Sequence, residues 1–170
     1  MLHQTLPFDT RRADPSDAEG IAMAHRDSIR SIGPRFYSDH LVDAWAEGLT
    51  GELYIKAMEG GEVFFIAVAQ VGGASVVLGF ASDYPRAGSQ HGTSVYVTGN
   101  SVRRGIGSAL LMLAEAEAIA RGGTSMHIEA SLAGVEFYQA NGFVEVGRGH
   151  THLMSGRPID CVFMEKTLAW

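Results

Sequence analysis

The sequence predicts a single α/β domain of the α+β kind spanning 1–170, with a mixed, mostly antiparallel central sheet of about six to seven strands flanked by helices. Three observations carry that expectation. Apolar residues at helical spacing fill the N-terminal third, β-branched and aromatic runs divided by glycine turns fill the middle, and helix and strand patterns alternate towards the C terminus. With 170 residues, 46% hydrophobic and 19% charged, the chain can bury one sizeable core, and no shift in composition marks a second domain.

The elements follow in order. In "ADPSDAEGIAMAHRDSIRSIG", Asp14 or Ser16 offers an N-cap, and Ile21, Ala24, His25, Ile29 and Ile32 fall near one helical face that ends at Gly33-Pro34. A second short helix is expected in "FYSDHLVDAWAEG", capped by Ser38 or Asp39, with Leu41, Val42 and Trp45 on one face. A third lies around "ELYIKAM". "EVFFIAVAQ", "GGASVVLGFASDY" and "GTSVYVTG" read as an antiparallel meander. Ile106, Ala109, Leu110, Leu113, Ala116 and Ala120 then form a long helical face, followed by strand "TSMHIEA", helix "LAGVEFYQANG", strand "FVEVGRG" and a closing strand "DCVFMEKTL". Strand, helix and strand in succession imply a parallel crossover.

Composition narrows the function. A formal net charge of −6 argues against general nucleic-acid binding, which needs a clustered basic face. Cys161 is the sole cysteine and cannot close an internal disulfide. Neither "MLHQTLPFDTRR" nor any later segment has the pattern of a signal peptide or membrane span, and the apolar run "VFFIAVA" at 63–69 is too short to cross a bilayer. A soluble cytoplasmic protein with no membrane partner is therefore expected.

The stretch "VYVTGNSVRRGIGSALL" carries the chemistry. A strand that leads through close glycines into a helix gathers unpaired backbone N–H groups and the positive end of the helix dipole at one point, which suits an anion. Gly105 and Gly107 let a phosphate approach the main chain, and Arg103 and Arg104 can add charge-assisted contacts. From Tyr84 to Ala114 there is no Asp or Glu, while Arg86, His91, Arg103 and Arg104 fall inside that window. A small polyanion is the implied ligand. The dinucleotide fingerprint fails, because leucine stands at its third glycine and no βαβ unit precedes it, and there is no Walker lysine. Read alone, "RRGIGS" can also be a plain strand-to-helix turn.

Together with the later "ASLAGVEFYQANGF", the stretch resembles the GCN5-related N-acetyltransferase family, and the order of elements agrees over most of the chain, loosely at about residues 14–60. The resemblance implies acetyl-CoA as cosubstrate, no metal, and direct attack of an amine on the thioester. Backbone groups of Val95, Tyr96 and Val97 would pair with the pantetheine arm and position the acetyl carbonyl. The N–H groups of Arg103, Arg104, Gly105, Ile106, Gly107 and Ser108 would hold the pyrophosphate, and Tyr138 would protonate the departing thiolate. Three positions depart from the family pattern. Val102 replaces the Gln or Arg that opens the loop, Gly99 replaces a proline and is expected to loosen it, and Ser131 replaces an asparagine but keeps a shorter hydrogen-bonding reach to the pantetheine.

Other residues have two readings each. Phe137 and Tyr138 can be an aromatic core pair, although the "GF" that follows favours the catalytic reading of Tyr138. His127 and Glu129 share a strand face, either as a satisfied polar pair or beside a cleft, where one of them can act as general base; Asp83, His91 and Ser94 are further candidates. His150 and His152 have a spacing that fits a metal but lack a further ligand, so a strand face is the simpler reading. Met154 and Met164 read as core filler and Cys161 as a small buried hydrophobe. Tyr37, His40 and Trp45 can wall the acceptor, with Asp39, Asp43 and Glu47 either attracting a cationic amine or simply facing solvent.

The expected function is thus an acetyl-CoA-dependent N-acetyltransferase acting on a primary amine of a small molecule, peptide or protein. The competing class is a non-catalytic acyl-CoA-binding or sensing domain, against which the presence of Tyr138 argues. Pairing of the C-terminal strands between two copies would make a homodimer.

Overall fold

The computed structural model describes residues 6–169, so residues 1–5 of the segment read for a leader lie outside the described residues, as does Trp170. Strand β1 (Asp9–Arg12) precedes helices α1 (Ala18–Ile32), α2 (Asp39–Ala46) and α3 (Gly51–Glu59). The meander follows as β2 (Val63–Val71), β3 (Ala74–Pro85) and β4 (Gln90–Val97). Then come α4 (Ile106–Ala120), β5 (Ser125–Ser131), α5 (Val135–Ala140), β6 (Val144–His152) and β7 (Pro158–Thr167). Seven strands make one sheet in the order β1-β2-β3-β4-β5-β7-β6, antiparallel throughout except for the crossover pair β4 and β5.

Local chemistry sets the helix ends. The Asp14 carboxylate accepts from the Ser16 N–H at 2.8 Å while Asp17 accepts from the Asp14 N–H at 2.9 Å. This reciprocal box holds a short turn at Pro15–Asp17, so the expected cap is used but α1 itself starts at Ala18. Ser38 caps α2 by accepting from Leu41 N–H at 3.3 Å. One strand has no sequence signal, and the expected face of α4 needs correction. β1 is exposed along its whole length and buries nothing, so no hydrophobic pattern announces it; its pairing with β2 alone defines it. On α4 the buried residues are Ile106, Leu110, Leu111, Ala114 and Ala118, whereas Ala116 and Ala120 are exposed. The helix is apolar on most sides, and its sheet rather than its periodicity selects the face.

The sheet is covered on both sides. Ile21, Ala22, Tyr54, Phe64, Ile66 and Phe80 pack α1 and α3 onto one face, and Leu111, Ala118, Met126, Tyr138, Phe143 and Met164 join α4 and α5 to the other. Each of the large side chains stabilises the fold by about 1.5–3 kcal/mol through burial. Met164 is core as expected, but Met154 is 63% exposed in the turn between β6 and β7.

The feature that makes a site is a divergence. β4 and β5 pair only at Gln90 with Ser125, His91 with Met126 and Gly92 with His127. Beyond Gly92, β4 stays with β3 as far as Val97, and β5 stays with β7 as far as Ser131. The foot of the pair is pinned: His91 Nδ1 lies 2.6 Å from Asp83 Oδ1, and Arg121 donates to Asp83 Oδ2 at 3.2 Å. The upper halves separate into a gap.

Candidate active site

A cleft of about 580 Å³ opens at the gap and runs to the amino end of α4. Val95, Tyr96, Val97, Arg103, Gly105, Ile106, Gly107, Ser108, Ser131 and Tyr138 all line it, so residues read from two separate blocks of sequence meet in one place. Arg104 does not line it. Its guanidinium turns away and donates to the Leu6 carbonyl, which leaves only its backbone in the turn.

The turn has the shape of an anion cradle. Arg103 has φ 61°, the only positive φ outside glycine among the described residues, and Gly105 follows with φ 77° as the N-cap of α4. Left-handed residues alternating along a loop form the concave amide nests that bind anions, and a non-glycine residue held there costs of order 1 kcal/mol or more. A Cβ added at Gly105 would meet nothing within 4 Å, so the space above it is open. Gly107 is different. A Cβ there would lie 2.9 Å from the Phe137 ring, so this glycine lets α4 approach α5.

The expected loosening at Gly99 is not what the structure shows. Its N–H, which proline would lack, donates to Asp27 Oδ2 on α1 at 2.7 Å, and its bare Cα packs against Ser31. The glycine ties the loop to α1. Val102 lines the cleft and is 37% exposed, and Arg35, which carried no sequence signal, lines it as well.

At the other end of the cleft the Val95 N–H donates to the Tyr138 hydroxyl at 3.1 Å across the gap. Tyr138 is 4% exposed, and burial pushes its phenol well above the usual tyrosine range. It therefore stays protonated at neutral pH, and because its oxygen accepts from Val95, its own proton remains free to donate.

A second cavity of about 190 Å³ adjoins the first and shares Trp45, Tyr96, Glu129 and Ser131 with it. Tyr37 and Trp45 stand edge to face at 5.7 Å, and Trp45 and Tyr96 at 6.2 Å. The Tyr37 hydroxyl donates to the Asp160 carbonyl at 2.7 Å and accepts from Leu132 N–H at 2.9 Å, which ties the α1–α2 connection to β7 and to the residue just after β5. His40, Asp39, Asp43 and Glu47 are exposed and line neither cavity, so the acidic side chains are a solvated face and Tyr96 takes the place expected of His40.

Of the candidate bases, Glu129 alone lines a cavity. Asp83 and His91 are buried against each other at the pinned foot. His127 stacks on Phe163 with ring centroids 6.3 Å apart, its Nδ1 3.6 Å from Glu165, and it lines neither cavity, nor does Ser94. His150 and His152 lie edge to face at 5.8 Å, and among the described residues no group of three or more potential metal ligands occurs. Cys161 is buried, and burial pushes its thiol up.

Residues 60–145 match the family model of the acetyltransferase (GNAT) domain. The chain belongs to the GCN5-related N-acetyltransferase family. Its acetyltransferase fold is matched by a GCN5-related N-acetyltransferase from Rhodopseudomonas palustris, described as a class-II aminotransferase. That structure is 28% identical with a TM-score of 0.80, over 98% of this chain and 99% of that one. The PaiA N-acetyltransferase of Thermoplasma acidophilum, solved with coenzyme A, is 19% identical with a TM-score of 0.74, over 95% and 99% of the two chains. The yncA protein of Salmonella typhimurium, solved with acetyl-CoA, is 21% identical with a TM-score of 0.70, over 96% and 95%. No curated protein matches the chain. This GNAT chain is an N-acetyltransferase, and among its described residues no helix is long and apolar enough to cross a membrane.

Proposed function

We propose that 1–170 form one N-acetyltransferase domain that transfers the acetyl group of acetyl-CoA to a primary amine by direct attack of the amine on the thioester. The observation that carries this reading is the meeting of the Val95 N–H and the Tyr138 hydroxyl in the strand gap, at the end of a cleft that begins at a helix N-terminus. The coenzyme A and acetyl-CoA complexes of the two relatives support the cosubstrate. The fit to this chain rests on the open space above Gly105 and the positive φ values that flank Arg104.

Bound acetyl-CoA supplies the activated acyl group. The N–H groups of Arg103, Arg104, Gly105, Ile106, Gly107 and Ser108 hold its pyrophosphate, with the Arg103 side chain adding charge. Val95, Tyr96 and Val97 offer the unpaired edge of β4 to the pantetheine, and Ser131 closes from β5. As acetyl-CoA binds, the Val95 N–H exchanges the Tyr138 hydroxyl for the carbonyl oxygen and meets negative charge as it develops there. The Tyr138 hydroxyl gives its proton to the leaving thiolate, and Glu129 takes the proton that the amine loses. Loss of the Tyr138 acid would convert the site to the acyl-CoA-sensing alternative. Two copies pairing along the edge strand β6, where Val144 and Val146 are exposed, would make the homodimer.

Calorimetric titration with acetyl-CoA, with ATP as competitor, tests the cradle, and thiol release in the presence of a mixed amine library tests transfer. Micromolar acetyl-CoA binding that ATP does not displace, with amine-dependent thiol release, is the expected result. Absence of acetyl-CoA binding would end the assignment.

A further inference from the structure

The smaller cavity has a chemical character of its own. Its volume of about 190 Å³ is below the ~300–1,000 Å³ of sites for drug-sized ligands, so it takes a compact occupant. Tyr37, Trp45 and Tyr96 form one apolar wall, with Leu49 and Ile159 beside them. Glu129 stands where the cavity meets the main cleft, and Asp160 is the other acidic residue on the lining. Among the described residues no Lys or Arg lines it, and its one basic side chain is the exposed His152. The cleft's arginines, Arg35 and Arg103, line the main cleft only. Nor is the Tyr37 hydroxyl free to bind a carboxylate, since its proton already goes to the Asp160 carbonyl.

We propose, building on the transferase reading above, that the acceptor is a small primary amine carried on an aromatic or branched aliphatic body and lacking a carboxylate. Charge makes the selection. An ammonium group entering at the junction faces Glu129, and an apolar body covers the aromatic wall without losing any hydrogen bond. A free amino acid presents the same ammonium and the same body, but it brings a carboxylate beside the exposed Glu129 and Asp160, with no Lys or Arg on the lining to receive it. The cavity therefore discriminates by repulsion as well as by attraction.

Matched substrates isolate that carboxylate. Acetyl-CoA binding is first established by calorimetry, and kcat/KM is then measured by thiol release for phenethylamine against phenylalanine and for isoamylamine against leucine. The amine of each pair is expected to be preferred by about 10²-fold, the scale of an uncompensated like-charge contact. In Met154→Arg, a cation is added at an exposed rim position of the cavity, and the preference is expected to narrow by about tenfold or more, with acetyl-CoA affinity as the folding control. Equal use of amine and amino acid, preference for the amino acid, or an unchanged ratio in Met154→Arg would overturn the proposal. Acetyl-CoA binding with no turnover of any of the four compounds would also overturn it while leaving the transferase reading in place, and failure to bind acetyl-CoA would remove that reading itself.

Discussion

One wall of the cleft comes from a single run of chain, Val95 to Ser108, in which a strand edge, a turn and a helix N-terminus present backbone groups. The facing wall of the smaller cavity takes Tyr37 and Trp45 from around α2, Glu129 from β5 and Ile159 from β7, and acts through side chains. That contrast locates where specificity can vary. Backbone recognition needs glycine spacing and a helix start, which tolerate change at most other positions, whereas the second wall is gathered from separate elements by apolar packing and by Tyr37, which links the α1–α2 connection to β7 at Asp160 and to Leu132 just after β5. The first wall suits a constant ligand and the second a variable one.

The largest effect is expected where the first wall is broken at its backbone. Gly105→Asp puts a carboxylate into open space above the turn, so the fold should survive with a cost of about 1 kcal/mol for a left-handed residue, while acetyl-CoA affinity falls by more than about 10²-fold. Gly107→Asp should instead lower the melting temperature as well, because its Cβ drives into Phe137. Calorimetry beside thermal denaturation separates the two. If Gly105→Asp kept its affinity, the cradle would be only a turn.

Tyr138→Phe comes next. It keeps the ring packed against Phe137 and Phe143 and removes only the hydroxyl that Val95 donates to. Turnover should drop by roughly 10²-fold, the low end of general-acid effects, with acetyl-CoA affinity nearly unchanged. An undiminished rate would make Tyr138 a core residue and return the acid to solvent.

How much of this was legible follows from the same contrast. The first wall is readable because contiguous backbone geometry leaves a contiguous trace: glycines for φ, arginines for charge, and an acid-free window from Tyr84 to Ala114. Even there, the sequence could not tell that Gly105 serves space and Gly107 serves packing, or that the Gly99 N–H is held by Asp27, since each reason lies on another element. The second wall leaves weaker traces. Trp45 and Tyr37 were visible as aromatics, but His40 was one helical step away and faces solvent, and nothing near Tyr96 in the chain announces its meeting with Trp45. β1 stayed hidden because an exposed edge strand buries no apolar side chain.

The smallest effect concerns what supports the second wall from beneath. His25 of α1 lies against Tyr96 with ring centroids 3.9 Å apart, and its Nδ1 is 2.6 Å from the Tyr54 hydroxyl. Burial brings its pKa down from 6.5 to about 3, so the folded protein keeps the ring neutral. The unfolded chain takes up a proton near pH 6.5 that the native state refuses until about pH 3, so stability is fully present above the first value and declines as pH falls between them. The loss should reach about 2 kcal/mol at pH 5. Tyr138, raised rather than lowered, is neutral in both states across this range and adds no such dependence in the strand gap. Urea denaturation at pH 7 and pH 5 should therefore show a loss in the wild type that His25→Gln lacks, whatever that variant's stability at pH 7. Equal losses in the two proteins would mean that acid sensitivity arises elsewhere, and that the wall beneath Tyr96 is no more exposed to pH than the turn at the start of α4.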